Sequence, residues 1–139
     1  MVKDFPLDHI GVAVLDLDQA TARYSRLHPV EILGDEEVPS QEVRVRFLQL
    51  DEMKIELLEA TSTDSPVARF ISKRGEGLHH IAFRVKDIYQ QMERLKSEGF
   101  ELIQKSPIQG AFKKLIFFIH PKSMGGTLVE ICQPTEDDG

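Results

Sequence analysis

Cysteine and long apolar segments are both scarce in this chain of 139 residues. Cys132 is the only cysteine, so an intrachain disulfide cannot form and a metal site built mainly of thiolates is excluded. Its place within an apolar stretch favours the role of a small core residue. No apolar run approaches the roughly 18 residues that a membrane-spanning helix requires, so we expect no association with a membrane.

Positive charge is also in short supply, since 17 Lys and Arg residues against 23 Asp and Glu residues leave a net charge of −6. This balance disfavours nucleic-acid binding, which depends on basic surface. A small anionic ligand is still compatible with it, because a metal ion or a local group of lysines can reverse the field. The start of the sequence shows no apolar stretch of signal-peptide length, and we therefore expect a cytoplasmic location.

An internal repeat organises the residues that are present. The segment that begins at Asp8 matches the segment that begins at His79, without a gap, at an offset of 71. The identical pairs are His9 with His80, Ile10 with Ile81, Val14 with Val85, Asp16 with Asp87, Gln19 with Gln90 and Arg23 with Arg94. This agreement indicates that one structural module occurs twice.

Each copy begins as an apolar strand and then changes to the period of a helix. Asp16 or Asp18 can cap the first helix, whose apolar face is predicted to carry Ala20, Tyr24 and Leu27. Asp87 can cap the second helix, which Gly99 then ends as a residue free to adopt positive φ. Further strands are predicted over residues 43–50, 53–58, 115–119 and 127–132.

The last strands of the two copies carry a second matched pair. Residues 120–126 form a turn three residues longer than its counterpart in the first copy, so the offset grows to 74 and Glu56 matches Glu130. We predict an α+β fold of two βαβββ modules in tandem, over residues 5–60 and 78–133. In the connector of residues 61–77, Ser65 and Pro66 can start a short helix, and the acidic tail of residues 134–139 is expected to fray.

The repeat brings four potential metal ligands into equivalent positions. His9 and His80 lie on equivalent first strands, and Glu56 and Glu130 interrupt equivalent apolar last strands. Taken alone, either His is more often a polar strand-edge residue and either Glu can face solvent. Their recurrence as matched pairs favours a site for Zn²⁺, Co²⁺, Ni²⁺, Mn²⁺ or Fe²⁺. His79 is out of register by one and is interpreted as structural, whereas His28 and His120 are expected in exposed turns.

Three blocks of the sequence resemble the methylmalonyl-CoA epimerases of the glyoxalase, or vicinal-oxygen-chelate, superfamily. They are D-H-I-G-V-A-V from Asp8, G-E-G-L-H-H-I-A-F from Gly75, and H-P-K-S-M-G-G-T-L-V-E from His120. The resemblance covers nearly the whole chain. It implies one domain over residues 1–139 with a cupped mixed β-sheet around the metal, a homodimer, and an acyl-coenzyme A substrate.

The resemblance also implies a ligand set and a reaction. The family's ligands carry over to His9, Glu56, His80 and Glu130, which would hold one Co²⁺, Zn²⁺, Ni²⁺ or Mn²⁺ per chain. The reaction would interconvert (2R)- and (2S)-methylmalonyl-CoA by 1,1-proton transfer through a metal-stabilised enolate. Glu130 would serve both as ligand and as proton carrier.

The second proton-transfer base of such an enzyme is less evident. The position at which some family members carry a Glu aligns with Val45, which cannot transfer protons. Glu42 lies nearby and is a candidate, although an exposed strand-edge charge is the more common role for such a residue. Phe112 departs from the family pattern and would change the wall of the pocket. Lys113, Lys114 and Lys122 are candidates to contact coenzyme A phosphates, although surface lysines near turns are commoner than phosphate sites.

Three other functions are compatible with this kind of fold. The nearest is lactoylglutathione lyase, which acts on a methylglyoxal–glutathione hemithioacetal and uses similar ligands; the H-H-I-A-F and H-P-K-S blocks favour the epimerase. An extradiol dioxygenase needs Fe²⁺ with open positions, and a fourth ligand at Glu56 argues against it. A non-enzymatic drug-binding resistance protein would not need the metal quartet.

Overall fold

The structure is a computed structural model that describes residues 4–135. Residues 136–139, the larger part of the predicted acidic tail, lie outside the described residues. The helices and strands are β1 Leu7–Val14, α1 Leu17–Leu27, β2 Glu31–Val38, β3 Val43–Leu50, β4 Met53–Ala60, α2 Pro66–Arg74, β5 Gly77–Arg84, α3 Ile88–Ser97, β6 Ile108–Gln109, β7 Leu115–Ile119 and β8 Val129–Gln133. The predicted α+β class and the doubled βαβββ order are confirmed.

The chain divides into two compact units whose boundaries fall directly before two histidines. The first unit is His9–His79, and the second unit comprises residues 4–8 together with residues 80–135. None of the helices in the described part of the chain is long and apolar enough to cross a membrane.

In the first unit, the strand order is β2-β3-β4-β1. The pairs β2–β3 and β3–β4 are antiparallel, and β4–β1 is parallel. Helix α1 begins after Asp16, whose side chain accepts a hydrogen bond from Gln19 N at 2.8 Å. Its inner face packs on the sheet in a core formed by Val14, Leu17, Ala20, Leu48, Ile55 and Leu57.

In the second unit, the strand order is β5-β8-β7-β6, with β5–β8 parallel and the other two pairs antiparallel. Asp87 caps α3 by accepting a hydrogen bond from Gln90 N at 3.1 Å, as Asp16 does for α1. The core of this unit consists of Val85, Ile88, Met92, Leu95, Phe117, Ile119, Val129 and Ile131. The two units therefore repeat one strand order and one capping device.

Two predictions about the helices are confirmed and one is wrong. Gly99 follows the end of α3 with a φ of 94°, and Ser65 caps α2 by accepting a hydrogen bond from Ala68 N. Leu27 was predicted on the apolar face of α1 but is 76% exposed. It is the last residue of the helix, where the side chain is left largely in solvent.

Candidate metal centre

His9 and Glu56 are neighbours on two parallel strands of the first unit. Gly11, two residues after His9, lies opposite Glu56 in the register of β1 and β4. Because side chains alternate along a strand, His9 and Glu56 point to the same face of the sheet. His9 Nε2 lies 3.5 Å from Glu56 Oε1, and both residues are buried.

His80 and Glu130 repeat this arrangement in the second unit. Ala82, two residues after His80, lies opposite Glu130 in the register of β5 and β8. His80 Nε2 lies 3.3 Å from Glu130 Oε1, and both residues are buried. The matched pairs of the sequence are thus matched pairs in the structure, built by the same strand register in each unit.

Each histidine ring also contacts a phenylalanine that the sequence analysis missed. The rings of His9 and Phe47 lie 5.3 Å apart at 87°, and those of His80 and Phe118 lie 5.8 Å apart at 85°. Phe47 is opposite Glu56 on β3, and Phe118 is opposite Glu130 on β7. Such edge-to-face contacts restrict the orientation of the imidazoles. The offset of the repeat pairs Phe47 with Phe118 and was the signal available for finding them.

The geometry within each pair fits two ligands of one divalent ion. Nitrogen and oxygen ligands about 2.1 Å from an ion lie roughly 3.0–3.4 Å from each other in octahedral or tetrahedral geometry. The distances of 3.5 and 3.3 Å are close to this range. Burying a carboxylate is costly unless it is paired, protonated or bound to a metal. The four residues make up a buried group of His and Glu side chains that could hold a metal ion.

The strands that carry the two glutamates are tied to the helices by equivalent hydrogen bonds. Leu17 N, at the start of α1, donates to Glu59 Oε2 at 3.0 Å. Ile88 N, at the start of α3, donates to Gln133 Oε1 at 2.8 Å. The acceptors Glu59 and Gln133 lie three residues after Glu56 and Glu130, on the same strands. Each bond fixes the position of the strand along its own axis relative to the helix, and it pairs an N–H of the first helical turn that has no partner within the helix.

Cys132 lies on the same strand as Glu130 and is fully buried, so its predicted role as a core residue is confirmed. Burial raises the pKa of its thiol, and the negative charges of Asp8 and Glu130 raise it further.

The candidate base Glu42 and the aligned position Val45 lie differently in the first unit. Glu42 precedes β3, and Ser62 Oγ donates to its carboxylate at 2.9 Å. It stands five residues before Phe47 and outside the strand, with a left-handed φ of 53°. Val45 is buried and shares the face of Phe47, since it lies opposite Leu58 on β4. The expected position therefore presents an alkyl side chain.

The three lysines proposed to contact coenzyme A phosphates are not equivalent either. Lys114 is buried, and its Nζ lies 3.4 Å from Asp8 Oδ2, which argues against a phosphate contact. Lys122 is exposed and pairs with Glu101 at 3.0 Å. Lys113 is exposed and follows the half-buried Phe112, both with left-handed φ values of 63° and 56°.

Comparison with known proteins places this geometry in a family. The model of the glyoxalase/bleomycin resistance protein/dioxygenase superfamily matches residues 8–118. An ethylmalonyl-CoA/methylmalonyl-CoA epimerase from Cereibacter sphaeroides is 38% identical over 129 residues, which cover 91% of this chain and 96% of that protein.

Solved structures give the same result. A methylmalonyl-CoA epimerase from Mycobacterium tuberculosis is 34% identical, with a TM-score of 0.91 over 95% of this chain and 89% of that one. A methylmalonyl-CoA epimerase in complex with methylmalonyl-CoA and NH4+ is 31% identical, with a TM-score of 0.91 over 96% of this chain and 97% of that one. The similarity therefore extends over nearly the full length of both chains.

Proposed function

Because the chain belongs to the glyoxalase/bleomycin resistance protein/dioxygenase superfamily, we propose that it is an isomerase that interconverts (2R)- and (2S)-methylmalonyl-CoA. The observation that carries this proposal is the buried His–Glu pair that recurs at equivalent positions of both units. The similarity to proteins named methylmalonyl-CoA epimerase supports the substrate. The same similarity does not favour lactoylglutathione lyase, the alternative function.

We further propose that His9, Glu56, His80 and Glu130 hold one divalent ion, of which Co²⁺, Zn²⁺, Ni²⁺ and Mn²⁺ all suit two imidazoles and two carboxylates. When bound, the ion supplies Lewis-acid stabilisation of the negative charge that develops as the substrate loses its proton. The phenylalanine edges against both imidazoles limit ring rotation, which favours one orientation of each imidazole within its own unit.

The reaction requires a proton to leave the carbon between the thioester and the carboxylate and a proton to return to the opposite side. We assign the first transfer to the Glu130 carboxylate, which lies beside His80 on the ligand face of its unit. General-base catalysis by a positioned carboxylate typically contributes about 10²- to 10⁴-fold in rate. In the first unit, Val45 has no group that accepts a proton.

Three finer points are further proposals. The chain forms a homodimer, acts in the cytoplasm, and directs the exposed Lys113 and Lys122 towards the phosphates of coenzyme A. Lys114 is left out of this group because its ammonium group faces Asp8.

Deuterium exchange tests the proposed reaction directly. Protein loaded with Co²⁺ is incubated with (2S)-methylmalonyl-CoA in D₂O, and deuterium at the α-carbon is followed by mass spectrometry. We expect incorporation that stops when a chelator removes the ion. Absence of exchange, together with turnover of the methylglyoxal–glutathione hemithioacetal by the same preparation, would show that the chain is a lactoylglutathione lyase instead.

A further inference from the structure

The residue before each ligand histidine belongs to a different unit from the histidine itself. The boundaries between the units fall at the Asp8–His9 and His79–His80 peptide bonds. His79 points to the opposite face from His80, because adjacent side chains alternate along a strand. The contacts of Asp8 and of His79 can each fix the backbone at the histidine that follows.

Asp8 is held by two cations of the second unit. Its carboxylate lies 3.1 Å from Arg84 Nη1 and 3.4 Å from Lys114 Nζ. The side chain of Asp8 is only 2% exposed and that of Lys114 only 10%, whereas Arg84 is half-exposed. A carboxylate buried to this degree requires a close counter-charge, and Lys114 is the buried one.

The backbone at this point is fixed as well. Arg84 N, at the end of β5, donates to Pro6 O at 2.9 Å, two residues before Asp8. Lys114 in turn lies directly before β7, where Gly110 N donates to Lys114 O at 2.8 Å. Both cations that face Asp8 thus come from ordered strand ends.

The equivalent residue in the repeat is fixed by a different interaction. The His79 ring packs against Phe70 of α2, with 4.9 Å between the ring centroids and 67° between the planes. The guanidinium group of Arg74 lies over the Phe70 ring, 5.7 Å from its centroid. The position before each ligand histidine is therefore anchored in both units, by charge in one and by an aromatic contact in the other.

We propose that Asp8, held by the buried Lys114, is a positioning residue for the metal ligand His9. The inference rests on the proposed metal site. The Cα atoms of Asp8 and His9 are joined across one trans peptide, about 3.8 Å apart, so a displacement of Asp8 is passed to His9. Metal–ligand distances tolerate deviations of only about 0.2 Å. A displacement of His9 that is too small to unfold the protein is therefore large enough to weaken metal binding.

Co²⁺ binding by purified full-length protein tests this role. Affinity is measured by competition with a chromophoric chelator, and ligand geometry by the visible absorption bands of bound Co²⁺. We expect Lys114→Met to weaken Co²⁺ binding by about 10- to 100-fold, the range seen when residues that support a ligand are removed, and to shift the absorption bands. Lys114→Arg, which keeps the charge, should restore the affinity to within a few-fold of the wild type.

The first unit offers a matched control. Arg46 is also a largely buried cation, 14% exposed, and its Nε lies 2.8 Å from Asp35 Oδ1. It follows Val45 on β3 and so points away from the face of Phe47. Arg46→Met should lower stability but leave the Co²⁺ affinity and absorption bands unchanged.

A second variant covers the case in which Lys114→Met does not fold. Asp8→Glu keeps the charge and lengthens the side chain by one methylene, so it should fold, bind Co²⁺ about tenfold more weakly and shift the bands. Unchanged affinity and bands in folded Lys114→Met or Asp8→Glu would overturn the inference, as would an equal loss in Arg46→Met. Failure of the wild type to bind Co²⁺ would instead overturn the proposed metal site itself.

Discussion

The two units place a histidine, a glutamate and a phenylalanine in the same arrangement, but they join the strands that carry these residues by different connections. In both units a histidine lies two residues before the strand partner of a glutamate, and a phenylalanine lies opposite that glutamate. Strands β3 and β4 are joined by a tight turn at Asp51, whereas β7 and β8 are joined by residues 120–128 with a short 3₁₀-helix at Pro121–Met124. Strand register alone is therefore enough to place the ligands, and the connections are free to differ.

Replacing the two glutamates separately tests whether this common arrangement has unequal chemical roles. Glu130→Gln should lower α-carbon exchange by about 10²- to 10⁴-fold, because the amide keeps the shape but cannot accept the proton. Glu56→Gln should cost much less, since an amide oxygen can still serve as a ligand. The measurement is deuterium exchange together with the metal content of each variant. Equal losses would show that both carboxylates carry protons and that the units are chemically alike.

Removing the phenylalanines compares how tightly each unit packs around its histidine. Phe47 is 5% exposed, and Phe47→Ala should lower the free energy of unfolding by about 3–5 kcal/mol. Phe118 is half-buried, so Phe118→Ala leaves a smaller cavity and should cost less. Urea unfolding followed by circular dichroism measures both values. A larger cost for Phe118→Ala would mean that exposure does not rank the two sites.

The helix caps give the smallest expected effect and should be alike in the two units. Asp16→Ala and Asp87→Ala should each lower the free energy of unfolding by about 1 kcal/mol, because each side chain satisfies one N–H of the first helical turn. Asp18→Ala is the control, since Asp18 lies inside α1 and its exposed carboxylate meets only Arg46 and solvent. Unequal costs for the two caps would break the equivalence of the units.

The features that were predictable from sequence are those with a local or repeated signal. Alternation along the chain gave β3, and the apolar run in the corresponding place of the second copy gave β7, both at their observed bounds. The repeat singled out the four candidate ligands, because the offset of 71 paired the histidines and the same offset with one three-residue insertion paired the glutamates. The choice between Asp16 and Asp18 as the cap of α1 needed the structure, which selects Asp16.

Other features had no such signal. Strand β2 reads Glu-Ile-Leu-Gly-Asp-Glu-Glu-Val, and its acidic stretch has no apolar period that would locate a strand. The pair of Asp8 and Lys114 joins residues 106 positions apart, and His79 and Phe70 replace it in the first unit, so neither spacing nor the repeat predicts it. A contact that occurs in one unit only, between residues far apart in the sequence, is visible only in the folded chain.

The burial of Cys132 makes this chain its own unfolding reporter. The only thiol of the sequence lies fully enclosed on β8, and its raised pKa keeps it in the unreactive protonated form. Alkylating and disulfide reagents attack the thiolate, so labelling has to wait until β8 leaves its neighbours. The rate at which a thiol reagent labels Cys132 therefore measures how often the second unit unfolds locally, and no engineered probe is needed.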